Sequence, residues 1–159
     1  MCVMRILAID PGTKSCGYAV VEMLENGSYQ YIKGGNVDSL VSVLSLLMDA
    51  FSNVDRVAIE RVGLVFRVNA RHHLAQTAEV AGIAYALAWV RFKDSNSIVM
   101  MTSREWRKTL LGTGKLGSKA SMQDAAIKEA VQARVSGLPG RTNVHIRDAV
   151  GLAIAASKR

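Results

Sequence analysis

Polar and apolar positions change rhythm along the chain, from short apolar runs in the first third to helical spacing beyond. Val3 to Ile9 and Gly17 to Met23 are runs bounded by turn residues, and both predict strands joined through Asp10 to Cys16. Glu25-Asn-Gly-Ser28 is a hairpin signal, and Tyr29 to Lys33 predicts a third strand ending at Gly34-Gly35. Three strands joined by short turns predict an antiparallel start to a sheet. Asp38 to Phe51 then takes helical spacing, with Leu40, Val43, Leu44, Leu47 and Met48 on one face. Asp55 to Glu60 is the next strand, an apolar run that delivers a carboxylate at its end, as Ile6 to Ile9 delivers Asp10.

Beyond a loop from Arg61 to Val68, Asn69 is placed to cap a long helix running to about Phe92. That helix carries Ala75, Ala78, Ala81, Gly82, Ala84, Ala86 and Ala88, small residues that permit close approach of another helix. His72 and His73 fit its surface. Ser97 to Met101 predicts a fifth strand, and Thr102-Ser-Arg-Glu105 has capping-box spacing for a helix through Leu110. Gly112 to Gly117 is a loop. Ser118 or Ser121 caps a helix to about Val135, Ser136 to Val144 is a second loop, and His145 to Ala156 is the terminal helix. The order β-β-β-α-β-α-β-α-α predicts an α/β fold: a mixed five-stranded sheet with helices on both faces.

Composition narrows the partners more than the fold. The 159 residues suit one domain, 1–159, with a proper core, and half of them are hydrophobic. A formal net charge of +7 points to a polyanion, most commonly nucleic acid. No long uncharged apolar segment is present to anchor or span a membrane. Cys2 and Cys16 make neither a disulfide framework nor metal-ligand spacing, and a reduced, cytoplasmic setting is the simpler expectation. The first strand begins almost at Met1, so no signal peptide is expected ahead of it.

Two central strands that each finish in an acid place Asp10 and Glu60 at one edge of a parallel pair. Asp10 either meets something positive there, such as a metal ion, or only opens the Asp-Pro-Gly turn. His145 and Asp148 lie three apart and share a helix face, where they converge on one point or serve as cap and helix-dipole residues. Together the four form the ligand set of a divalent-metal site: carboxylates favour Mg²⁺, and a histidine admits Mn²⁺. Two such ions about 4 Å apart activate a water and stabilise the leaving oxygen of a phosphodiester. Clustered acids on a basic protein suggest a nuclease.

Three segments make the resemblance specific. They are Asp10-Pro-Gly-Thr-Lys-Ser-Cys-Gly-Tyr-Ala-Val-Val, Ala58-Ile-Glu60-Arg, and His145-Ile-Arg-Asp148-Ala-Val-Gly-Leu-Ala-Ile-Ala. They resemble the three motifs of the RuvC family of Holliday-junction resolvases, which have the RNase H-like fold. The similarity runs from Met4 to Ala156 in the same element order. It implies a Mg²⁺-dependent endonuclease of DNA recombination and repair that works as a homodimer through the 69–92 helix. Such an enzyme cuts two opposed strands of a four-way DNA junction. The resemblance puts the metal ligands on Asp10, Glu60, His145 and Asp148.

It also matches Lys119 to a basic residue that supports catalysis or phosphate binding; the alternative is an ordinary solvated lysine. Phe66 corresponds to an aromatic that stacks on junction bases, and Arg61, Arg67, Arg71, Lys115 and Arg147 are candidate phosphate contacts or plain surface charges. Glu79-Val-Ala-Gly82 stands where the family has a Gln-Ala-Arg-Gly run, and the chain is compact after its last ligand. A diverged, phage-type member with relaxed branch preference is compatible with both departures.

Three rivals remain: a flap, fork or RNA–DNA hybrid nuclease of the same fold, a non-catalytic junction-binding module, and an actin-like ATPase. The complete acidic set argues against the binder, and the chain is too short for the two lobes of the ATPase. Sequence leaves any helicase partner unnamed.

Overall fold

A computed structural model of the chain describes residues 2–12, 15–38, 42, 45, 48, 49, 53–63, 71–113, 117 and 119–159, with the side chains of 2 and 71–73 excepted. The strands are β1 (Cys2–Pro11), β2 (Cys16–Leu24), β3 (Tyr29–Val37), β4 (Arg56–Arg61), β5 (Ile98–Thr102) and β6 (Val135–Ser136). The helices are α1 (Arg71–Phe92), α2 (Ser103–Leu111), α3 (Ala120–Gln132) and α4 (Val144–Ala156). The predicted helix at Asp38 to Phe51 and the Asn69 cap fall largely or wholly outside the described residues.

The sheet has six strands in the order β5-β4-β1-β2-β3-β6. β1, β2 and β3 form the expected antiparallel meander, while β4 runs parallel to β1 and β5 parallel to β4. The sixth strand corrects the five-stranded expectation: Val135 and Ser136 pair in parallel with Tyr29 and Gln30. β3 also runs on through Gly34 and Gly35 to Val37, because its ladder to Ala19, Tyr18 and Cys16 continues past them.

Alternation along β1 explains the layers. Ile6 and Ala8 face one way, into a core with Ala58, Met101, Trp106, Leu110, Ile127, Val131 and the buried run Ala149 to Ala156. Leu7 and Ile9 face the other way, with Val20, Val57, Ile59 and α1 residues Ala81, Ala84 and Ala88. Continuous apolar runs are what a strand buried on both faces requires. The sheet is covered on both faces, as expected.

Helix entries set the edge where the strands end. Thr102 Oγ1 accepts from Glu105 N at 3.2 Å and Glu105 Oε2 accepts from Thr102 N at 2.6 Å, so the capping box starts α2 directly where β5 stops. Asn143 Oδ1 accepts from Ile146 N at 3.0 Å and caps α4 one residue ahead of the expected start. In α3 the cap position is Lys119, with no side-chain cap bond, and Ser121 lies inside the helix rather than capping it. Ser118 lies outside the described residues.

Candidate active site at the carboxyl edge of the sheet

Ile9 pairs with Ile59 in the parallel β1–β4 ladder, so the next residues, Asp10 and Glu60, lie side by side near the ends of their strands. Parity fixes their direction. Asp10 follows Ile6 and Ala8, and Glu60 follows Ala58, so both carboxylates point to the face covered by α2 and α4. On α4, His145 Nδ1 lies 3.3 Å from Asp10 Oδ2. α4 can come this close because β2 has Gly17 beneath it: a Cβ there would sit 2.7–2.8 Å from His145 Cβ, C and O. Asp148, one turn further on, is 8% exposed and is the buried charged residue among those described.

The structure thus brings the four sequence-predicted ligands to one edge, and adds two residues that the sequence reading missed. Trp106 Nε1 donates to Glu60 Oε2 at 2.6 Å. Arg107 Nη2 donates to Asp148 Oδ2 at 3.4 Å, and its Nη1 donates to Gln123 Oε1 at 3.4 Å. Arg107 Nε is buried without a hydrogen-bond partner. A signal for both existed: the capping box after β5 starts α2 at the same edge as Glu60. It was legible as helix geometry and not as chemistry.

The acids pay an electrostatic cost for this arrangement. Burial, with the charge of Asp148, holds Asp10 above its ordinary range, while His145 and Arg107 pull it back. Burial, then the charge of Asp10, pushes Glu60 up to about 7 against the Trp106 hydrogen bond and Arg107. Asp148 is raised by burial against the pull of Arg107 and Arg147. Three carboxylates destabilised as anions by burial, with Asp10 also feeling the charge of Asp148 and Glu60 that of Asp10, are a donor set suited to a divalent cation. Among the described residues no three His, Cys, Asp or Glu side chains are gathered closely enough to hold a metal ion. Trp106, Arg107 and Arg147 engage Glu60 and Asp148 instead.

The candidate DNA contacts divide. Arg61, half exposed, reaches Glu105 at 3.3 Å beside this edge. Arg147 turns inward, with Nη2 3.3 Å from Asp148 Oδ1 and 3.6 Å from Asp124 Oδ1. Lys119 is exposed at the start of α3, and its carbonyl accepts from Gln123 N, one turn before the side chain that meets Arg107. Phe66, Arg67 and Lys115 lie outside the described residues, as does the side chain of Arg71.

A mixed sheet with acids at the ends of two adjacent parallel strands, faced by a helix bearing His and Asp, defines an RNase H-like hydrolase domain. Comparison with known proteins makes the class particular. The family described as "Crossover junction endodeoxyribonuclease RuvC" matches residues 6–156, and the chain belongs to that family. The crossover junction endodeoxyribonuclease RuvC of Helicobacter pylori (strain G27) is 28% identical over 171 residues, covering 98% of each chain. That of Cupriavidus taiwanensis is 30% identical, covering 95% of this chain and 82% of its own. The Thermus thermophilus RuvC structure in complex with Holliday junction substrate superposes with a TM-score of 0.71. It is 15% identical and covers 96% of this chain and 92% of that one.

Proposed function

We propose that this RuvC-family endonuclease resolves four-way DNA junctions by metal-assisted phosphodiester hydrolysis, with two paired nicks from a homodimer. The observation that carries the reading is the adjacent placement of Asp10 and Glu60 near the ends of two parallel strands, on the face covered by the helix bearing His145 and Asp148. In this reading those four residues hold Mg²⁺, with Mn²⁺ as a substitute, and the bound ions supply water activation and leaving-group stabilisation. The chain's own part is to fix the carboxylates on rigid strand ends and to keep them from repelling one another. Arg107 and Arg147 perform the second task at Asp148.

Lys119 supports catalysis from the start of α3. Arg61, Arg67, Arg71 and Lys115 contact phosphates, and Phe66 stacks on a junction base; Arg147, turned onto Asp148 and Asp124, does not. The net charge of +7 favours DNA as the partner.

The second copy docks along α1. Its solvent side presents Ala75, Ala78, Gly82, Tyr85, Ala86 and Trp89 at steps of three and four, with Trp89 46% exposed and Val90 69%. Small residues let two backbones approach and the aromatics supply area. Three of the alanines read from sequence as helix-contact residues, Ala81, Ala84 and Ala88, pack on the sheet instead. A two-fold dimer presents two identical sites to a two-fold junction.

No described helix is long and apolar enough to cross a membrane, and the reading places the enzyme with DNA in the cytoplasm. The test is cleavage of mobile four-way, three-way, flap, linear and RNA–DNA hybrid substrates in Mg²⁺. Paired symmetric nicks confined to the four-way substrate are expected. Equal cutting of flaps and three-way forks makes the protein a relaxed branch nuclease, and binding without cutting makes it a junction-binding module.

A further inference from the structure

Of the three acids, Glu60 is the one held by an indole N–H, and that donor is built into the core. The Trp106 indole is fully buried, and its Nε1 reaches Glu60 Oε2 at 2.6 Å. Its seat is cut into α4: a Cβ on Gly151 would sit 2.9 Å from Trp106 Cζ3 and 3.1 Å from Leu110 Cδ2. Any larger residue at 151 would displace the ring. The Arg107 guanidinium lies 5.3 Å from the centre of that ring, so the indole is flanked by the cation that serves Asp148.

The chemistry of the donor matters. An indole N–H donates and cannot accept, so it can hold a carboxylate oxygen without itself competing for a cation, as a histidine or tyrosine would. The bond to Oε2 leaves Oε1 without a Trp106 contact. A long glutamate at a strand end has three torsions to restrain, and a hydrogen bond from a ring locked on a rigid helix restrains them at little entropic cost.

We propose that Trp106 is the positioning residue for Glu60, holding one carboxylate oxygen so that the other is presented to a divalent cation. Gly151 is the packing position that makes this possible. The inference rests on the metal-site reading given above and adds to it a residue outside the ligand set.

The experiment titrates Mg²⁺ into the full-length protein and follows the indole N–H resonances of Trp106 and Trp89. Parallel titrations use Trp106→Phe and a protein with benzothienylalanine at 106, which keeps the bicyclic shape and replaces N–H by sulfur. Expected are a Trp106 resonance that moves on Mg²⁺ addition while exposed Trp89 stays in place, and about 10-fold or greater loss of Mg²⁺ affinity in both variants. Cleavage should fall through kcat, with junction binding unchanged. If the native protein binds Mg²⁺ and the folded benzothienylalanine protein binds it equally well, Trp106 is only a core residue and the inference is overturned. If the native protein binds no Mg²⁺, the metal-site reading falls and this inference with it.

Discussion

The two faces of the sheet are built from the same strands and do opposite things. On one, Leu7, Ile9, Val57 and Ile59 meet the alanine face of α1, with the thiol of Cys16 sealed among them. On the other, Ile6, Ala8 and Ala58 meet α2 and α4, and the pattern ends one step later in Asp10 and Glu60. A single change of residue type at the end of each strand turns a core face into an acidic edge. The α1 face is therefore expected to tolerate loss of perfect packing without loss of chemistry. The α4 face is expected to lose chemistry when its geometry shifts.

Steric substitutions break this comparison most sharply. Gly17→Ala drives a methyl group against the backbone of His145, and Ala84→Leu overpacks the α1 face. Each is expected to cost about 1–3 kcal/mol of stability in denaturant unfolding. Only Gly17→Ala should also lower cleavage by the folded protein, by about 10-fold or more, since small misplacements of reacting groups have effects of that order. Equal cleavage by the two folded variants would dissolve the distinction between the faces.

Acidification gives a smaller effect confined to the reactive edge. Glu60 has its folded-state pKa raised to about 7, so the folded protein holds the proton more tightly than the unfolded chain. Stability from this group is greatest below the unfolded pKa and is lost as pH rises towards 7. Metal-free protein is expected to gain on the order of 1–2 kcal/mol between pH 7 and 5.5 relative to Glu60→Gln, which has no proton to take up. Unfolding in a chelator at the two pH values measures the difference. A native protein that tracks Glu60→Gln across this window would contradict the buried-acid account.

The smallest effect belongs to the other face. Burial, and then the charge of Asp10, pushes the Cys16 thiol up to about 12, so little thiolate exists near neutrality. Alkylation of Cys16 at pH 8, followed by peptide mass analysis, should be slow in the native protein and rapid once it is unfolded. Fast native labelling would show that the α1 face opens readily.

Much of this organisation was legible in the sequence. The apolar runs before Asp10 and Glu60 gave both strands, their central burial and the shared edge, because parallel strands end on the same side. The Thr102–Glu105 capping box was legible for the same local reason. What escaped was set by long-range contact. β6 is two residues long, too short for alternation to register, and exists only because Tyr29 and Gln30 lie beside it. Gly34-Gly35 has the local preference of a strand end, and only the ladder to β2 carries β3 past it. Lys119 takes the cap position where serines on either side have the better side chains. Trp106 and Arg107 carry no local signal beyond lying in the capped helix after β5, and only the fold brings them against Glu60 and Asp148.

In the proposed function the acids at this edge perform hydrolysis while the basic surface holds the junction. The most direct test compares native protein and Asp10→Asn for Mg²⁺-dependent cleavage of a mobile four-way junction, with binding of the same junction measured in parallel. Asp10→Asn is expected to abolish cleavage and to leave junction affinity within a few fold. Retained cleavage by Asp10→Asn would contradict the proposed function.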